Sequence, residues 1–140
     1  YGAGAGRATD WFRSQGLSVV AVDHVPNAIE FPDVPFVEAS LWALPESLEP
    51  SDWGFCCDVL EHIPPKKVAD VMQAIADRSR KGAWLRIATR PDRMGPRILG
   101  SPLHLTVRSG EWWRREAERA FPIVDVVSAD AKDVVLACQK

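Results

Sequence analysis

The 140-residue chain has no apolar run approaching the roughly 18 residues that a membrane-crossing helix needs, so no transmembrane segment is expected. It lacks a dominant charge: 17 basic and 19 acidic side chains leave a net charge of −2, which argues against whole-domain affinity for nucleic acid. There are only three cysteines, without disulfide-framework or zinc-ligand spacing, so no structural metal is expected. Cys56 and Cys57 are adjacent in an apolar run, where a strand would point them to opposite faces. They read, with Cys138, as small hydrophobes in a reducing compartment. No internal repeat, low-complexity tract or leader pattern is present, and the expected location is the cytoplasm. An apolar content of 46% with 26% charged residues is that of an ordinary globular protein. The length supports one domain, residues 1–140, with a real core.

What is present begins at the first residues. Tyr1-Gly2-Ala3-Gly4-Ala5-Gly6 places three alternate glycines at the chain start, and the apolar run Ser18-Val19-Val20-Ala21-Val22 leads to Asp23. Alternate glycines let the backbone turn sharply between strand and helix and leave no Cβ to obstruct a ligand lying on the main chain. The β-branched run predicts a buried parallel strand. An acidic group at the end of such a strand can accept hydrogen bonds from both hydroxyls of a ribose. A glycine turn followed by a carboxylate thus predicts a nucleoside site. The order G-x-G-x-G, with Arg7 next, departs from the G-x-G-x-x-G of dinucleotide enzymes and argues against a nicotinamide oxidoreductase.

The glycine motif resembles the first motif of the class I methyltransferases, which bind S-adenosyl-L-methionine (SAM). Val37-Glu38-Ala39-Ser40-Leu41, followed by Leu44-Pro45, resembles that family's third-strand region, where the adenine is held. Ser40 stands where the family usually has an acidic residue. The segment Ser51 to Ile63, ending Leu60-Glu61-His62-Ile63, is similar to the fourth-strand motif of the small-molecule branch. Leu103-His104-Leu105-Thr106-Val107, with Trp112-Trp113, resembles a His-x-Thr…Trp-Trp signature of some small methyltransferase-like proteins of bacteria and their viruses. The family's glycine motif follows a strand. That first strand is missing before Tyr1, and the intact protein is expected to contain it.

The element order supports the resemblance. A first helix is expected over Arg7 to Gln15, ended by Gly16, with strands to Asp23, near Phe36 to Glu38, and over Trp53 to Cys57. One helical turn is expected around Pro26 to Glu30. Val68, Val71, Met72, Ile75 and Ala76 recur at helical spacing. Arg78 to Lys81 reads as that helix's basic end, with Gly82 beyond it and a strand over Ala83 to Ala88. A long loop runs from Thr89 to Arg108. Ser109 is placed to cap a helix with Trp113, Ala117, Ala120 and Phe121 inward. Two final strands, Ile123 to Ser128 and Val134 to Cys138, complete the pattern. The expected fold is α/β, a Rossmann-like open and mostly parallel sheet with a C-terminal antiparallel hairpin.

The resemblance implies SAM as cofactor, held by Tyr1, Gly2, Gly4, Gly6, Asp23, Ser40, Leu41 and Asp58. It implies methyl transfer to O or N of a small or polar acceptor. SAM's sulfonium makes its methyl electrophilic, so the protein must align the acceptor and exclude water. A base is needed only if the acceptor loses a proton, and histidine suits neutral pH. His104 and His62 are the catalytic candidates, with His104 nearer the transferred methyl and Thr106 orienting its ring. His24 reads as a surface neighbour of Asp23. Trp112 either roofs an acceptor pocket or covers a strand. Arg90, Arg93, Arg97 and Arg108, with Asp92 as the counter-charge in their loop, either attract an anionic acceptor or form a solvated face. DNA amino-methylation is disfavoured, because Asp58-Val59-Leu60-Glu61 stands where that chemistry needs a polar-Pro-Pro-aromatic motif. A SAM-binding protein with a structural or regulatory role and no methyl transfer remains the alternative.

Overall fold

The computed structural model describes all of residues 1–140 except Asn27, Ala28 and Pro32. The helical turn expected around Pro26 to Glu30 therefore falls in part outside the described residues. The chain divides into two compact units, Tyr1–Glu49 and Pro50–Lys140.

In the first unit the glycine turn leads into helix α1, Arg7–Ser14, after which Gly16 takes a left-handed φ of 82°. Strands β1, Ala21–Asp23, and β2, Phe36–Glu38, pair in parallel, with Ala21 opposite Phe36 and Asp23 opposite Glu38. Only the last part of the strand expected from Ser18 to Asp23 joins this ladder. β2 is three residues long, so Ser18 to Val20 have no strand opposite them, and Val20 is exposed. Ala21, Val22, Val34, Leu41 and Leu48 are buried.

The second unit is a four-stranded sheet in the order β3-β4-β6-β5. β3, Ser51–Cys57, lies parallel to β4, Ser79–Ala88. β6, Asp133–Gln139, runs antiparallel to β4 and to β5, Ile123–Ala129, so the C-terminal hairpin is present with its last strand inserted inward. The single open sheet expected from the sequence is thus described as two, β1–β2 and β3–β6. Helix α2, Val68–Asp77, buries Val68, Val71, Met72, Ile75 and Ala76, the stripe read from its spacing. It packs on β4 and on helix α4, Gly110–Glu118, which also covers β5 and β6. Trp113, Phe121, Leu85, Ile87 and Leu136 fill the space between them. As expected, the Ser109 hydroxyl caps α4, accepting from the Trp112 N–H at 3.2 Å.

Two expectations are corrected. Arg78 to Lys81 is not the basic end of α2, which stops at Asp77. Ser79 donates its hydroxyl to the Ile75 carbonyl at 2.7 Å, and β4 begins there, drawn into pairing by β3 and β6. Gly82 is accordingly a strand residue rather than a helix terminator. A Cβ there would lie 2.0 Å from the Cys138 carbonyl oxygen, a distance only glycine permits. The loop from Thr89 to Arg108 is also not irregular throughout, because it contains a short helix α3, Met94–Leu99.

Candidate functional site

The first cluster lies at the C-terminal end of β1. The N–H groups of Gly2 and Ala3 both donate to the Val22 carbonyl, at 2.8 and 3.1 Å, and fasten the glycine turn to the strand. Gly2, Gly4 and Gly6 have φ values of 67°, 51° and 83°, a region open to glycine at little cost. A Cβ on Gly4 would meet nothing within 4 Å, so the space over that peptide is open. Asp23 is buried, and its carboxylate accepts from Gly4 N at 2.8 Å and from Val25 N at 3.0 Å. Each oxygen keeps a lone pair for a further donor. His24 lies 3.3 Å from the same carboxylate with its ring largely in solvent, as expected of a surface neighbour. Just past β2, Ser40 is half-buried and its carbonyl accepts from Ala43 N, while Leu41 is buried. Tyr1 is half-buried at the head of the turn. A concavity lined by Arg13, Gly16, Leu17 and Phe31 does not include Gly4 or Asp23 among its lining residues.

In the second unit Asp58 follows β3 with a φ of 55°, the one positive φ outside glycine among the described residues. Asp and Asn tolerate this region best. Its carboxylate accepts from Arg86 at 2.8 Å, and Arg86 also holds Asp133 at 2.5 Å. Asp58 is therefore already paired by a guanidinium.

Immediately after it, Leu60–His62 forms a short 3-10 turn. Thr106 locks this turn to the loop that carries His104. Fully buried, it donates its N–H to the Glu61 carbonyl at 2.9 Å and its hydroxyl to the Ile63 carbonyl at 2.7 Å. Thr106 thus does not orient the His104 ring, as the sequence had suggested, because its hydroxyl is spent on Ile63. The Arg90 carbonyl does so instead, 2.7 Å from His104 Nδ1, and the Leu103 carbonyl lies 3.0 Å from His62 Nδ1. A carbonyl only accepts, so each ring donates an Nδ1–H, and the neutral form of each is the tautomer with its lone pair on Nε2. The rings meet edge to face, centroids 4.9 Å apart.

Glu61 lies beside them with no solvent exposure. Burial pushes its carboxyl up from the ordinary range, opposed by a weaker pull from nearby backbone N–H groups and His62, and neither oxygen has a hydrogen-bond partner. In the sequence Glu61 stands only as part of the Leu60-Glu61-His62-Ile63 motif, with no role of its own.

Asp92 does not act as the counter-charge of the arginine loop. Its carboxylate accepts from Gly95 N, Leu103 N and His104 N, and these bonds hold it below the usual carboxylate range. Among the described residues Arg90, Arg93, Arg97 and Arg108 make no ion pair; Arg108 instead lies over the Trp112 ring, 5.7 Å from its centroid. Cys56 and Cys138 are buried and Cys57 is half-buried, all three free, in keeping with the opposite-face reading.

A family model described as a methyltransferase domain matches residues 1–87. Among solved structures, a SAM-dependent methyltransferase from Archaeoglobus fulgidus aligns over 99% of this chain and 83% of its own, at 13% identity and TM-score 0.72. The 1,6-didemethyltoxoflavin-N1-methyltransferase of Burkholderia thailandensis, with 1,6-didemethyltoxoflavin and S-adenosylhomocysteine bound, aligns over 99% and 68%, at 21% identity and TM-score 0.68. The magnesium protoporphyrin IX methyltransferase of Synechocystis PCC 6803, with SAM bound, aligns over 99% and 67%, at 15% identity and TM-score 0.69. No curated protein matches the sequence. Among the described residues no helix is long and apolar enough to cross a membrane. With the family match spanning more than half of the sequence and the Rossmann-like fold shared with these structures, the chain belongs to the class I SAM-dependent methyltransferase family.

Proposed function

We propose that the chain, acting as one SAM-binding domain in the cytoplasm, transfers a methyl group from SAM to O or N of a small polar acceptor. The observation that carries the reading is the doubly anchored Asp23 carboxylate under an open glycine turn. SAM supplies an electrophilic methyl on a sulfonium. Asp23 takes the ribose hydroxyls, and Gly2, Gly4 and Gly6 let the nucleoside lie against the backbone. Tyr1, Ser40, Leu41 and Asp58 complete the cofactor contacts, Ser40 offering a hydroxyl to the adenine amine. His104 and His62 serve the acceptor. Each keeps its Nε2 lone pair free, so each can hold or receive a proton from an attacking hydroxyl or amine. The unpaired Arg90, Arg93 and Arg97 favour an acceptor with a phosphate or carboxylate. The acceptors of the Burkholderia and Synechocystis enzymes, a didemethyltoxoflavin and a magnesium porphyrin, support a small-molecule acceptor here.

The test is calorimetry with SAM and S-adenosylhomocysteine, followed by transfer of labelled methyl from SAM into a metabolite pool. Asp23→Ala is expected to weaken nucleoside binding by about 1.5–3 kcal/mol, the range for a hydrogen bond to a charged group. Unchanged affinity in that variant would refute the assignment. Tight SAM binding without label transfer to any acceptor would favour the structural or regulatory alternative.

A further inference from the structure

Among the described residues the Trp113 indole N–H and the Glu61 carboxylate are buried without a hydrogen-bond partner, and of the two only Glu61 can carry a charge. It is fully buried, and both of its carboxylate oxygens lack a partner. A carboxylate withdrawn from water calls for a compensating cation or donor. Two imidazoles stand beside it and supply neither in their neutral form, because their N–H groups are spent on backbone carbonyls; one potential ligand atom each of Glu61, His62 and His104 lies within 4.8 Å of the other two. Both histidines donate Nδ1–H to a backbone carbonyl, the outer contact that fixes a metal-binding imidazole with Nε2 toward the ion.

We infer that Glu61, His62 and His104 bind a divalent transition-metal cation through the Glu61 carboxylate and the two Nε2 atoms. Two imidazoles and one carboxylate suit Zn²⁺, Fe²⁺ or Co²⁺ and disfavour Mg²⁺ and Ca²⁺, which prefer all-oxygen shells. A tetrahedral ion with ligands at about 2.05 Å holds its donors about 3.3 Å apart. The half-buried imidazoles close the remaining distance by rotation, while Glu61 stays where the core holds it. Three protein ligands leave at least one position open, the pattern of a catalytic rather than a structural ion. That position takes an oxygen ligand, and a hydroxyl bound there is made more acidic. In this last respect the inference rests on the methyl-transfer reading: the histidines would act on an oxygen acceptor through the ion. The acceptor's O–H proton passes to water as its oxygen attacks the methyl. The carbon–sulfur bond breaks, and sulfur keeps the electron pair as neutral S-adenosylhomocysteine.

The experiment uses the full chain, stripped with a chelator and free of SAM, titrated with ZnCl₂, CoCl₂ and MgCl₂ by calorimetry. One equivalent of Zn²⁺ and of Co²⁺ should bind and raise the melting temperature, with Mg²⁺ giving no saturable heat. The Co²⁺ spectrum should show nitrogen and oxygen ligation without a thiolate charge-transfer band, and Cys57→Ser should bind as the parent does. His104→Ala and Glu61→Gln should each weaken Zn²⁺ binding by about a hundredfold or more, exceeding the effect of losing an outer-sphere partner. Should either variant fail to fold, the parent's melting shift and Co²⁺ spectrum decide. Absence of saturable Zn²⁺ and Co²⁺ binding, a thiolate-ligated Co²⁺ spectrum, or undiminished affinity in folded variants would overturn the site and leave Glu61 as a neutral buried acid. Because no SAM is present, and Asp23→Ala should bind Zn²⁺ normally, failure here is separable from failure of the nucleoside assignment.

Discussion

Thr106→Val tests whether one buried hydroxyl holds the His62 turn against the His104 loop. Valine keeps the shape of the side chain and removes only the donor. The Thr106 hydroxyl is fully buried, 2.7 Å from the Ile63 carbonyl, and Ile63 is itself buried, so water cannot replace it. Leaving a buried acceptor unpaired costs about 1–3 kcal/mol. For a chain of this size each kcal/mol moves the melting temperature by roughly 3–4 °C, interpolating between smaller and larger domains. A drop of about 3–12 °C is therefore expected for Thr106→Val by calorimetric or circular-dichroism melting. Thr106→Ser keeps the donor and loses one methyl, so it should fall by less. The backbone bond from Thr106 N to the Glu61 carbonyl survives both changes, so the loop should stay attached with the two imidazoles less firmly set. In proton NMR the His62 and His104 ring resonances should shift in the valine variant and stay near the parent positions in the serine variant. Equal melting temperatures for parent and valine variant, or a serine variant as unstable as valine, would refute the reasoning.

Gly82→Ala should destabilise the second unit by about 1–3 kcal/mol or more, since the new Cβ would sit 2.0 Å from a backbone oxygen that cannot move without opening the β4–β6 ladder; denaturant midpoints measure this. Burial pushes the Cys56 and Cys138 thiols up to about 12, so at pH 8 a thiol reagent should label the half-buried Cys57 first and reach the other two only after unfolding. Rapid labelling of all three in the folded protein would contradict the buried placement. Arg114, and then Arg115, hold the Glu111 carboxyl at about 2, below its ordinary 4.5. A depressed value stabilises the fold above the ordinary pKa and is lost as pH falls toward 2. Glu111→Gln should thus flatten the acid limb of stability against pH below 4.5, with the difference fading at high salt because the group is fully exposed.

The features legible in the sequence are those set by short-range energetics. Alternate glycines permit the left-handed turn at Gly2 to Gly6, and an apolar run delivers Asp23 to its end. The spacing of Val68 to Ala76 writes the buried face of α2, and Ser109 announces the start of α4 through a bond to its own first turn. The family motifs sit in these same local elements, so the cofactor class was readable before any contact was known. The remainder depended on partners distant in the chain. Arg78 to Lys81 suits a helix end by local preference, yet hydrogen bonds from β3 and β6 make most of it strand. Ser18 to Val20 suits a strand, yet the three residues of β2 supply no ladder for it. Thr106 reads in sequence as the partner of His104 two residues away, and only the folded chain brings its hydroxyl to Ile63 instead. The grouping of Glu61 and His62 with His104 follows from that clamp, with no ligand spacing in the sequence to announce it. Backbone torsion and side-chain periodicity are properties of neighbouring residues, whereas ladder pairing and the convergence of donor atoms are settled by which distant segments exclude water together.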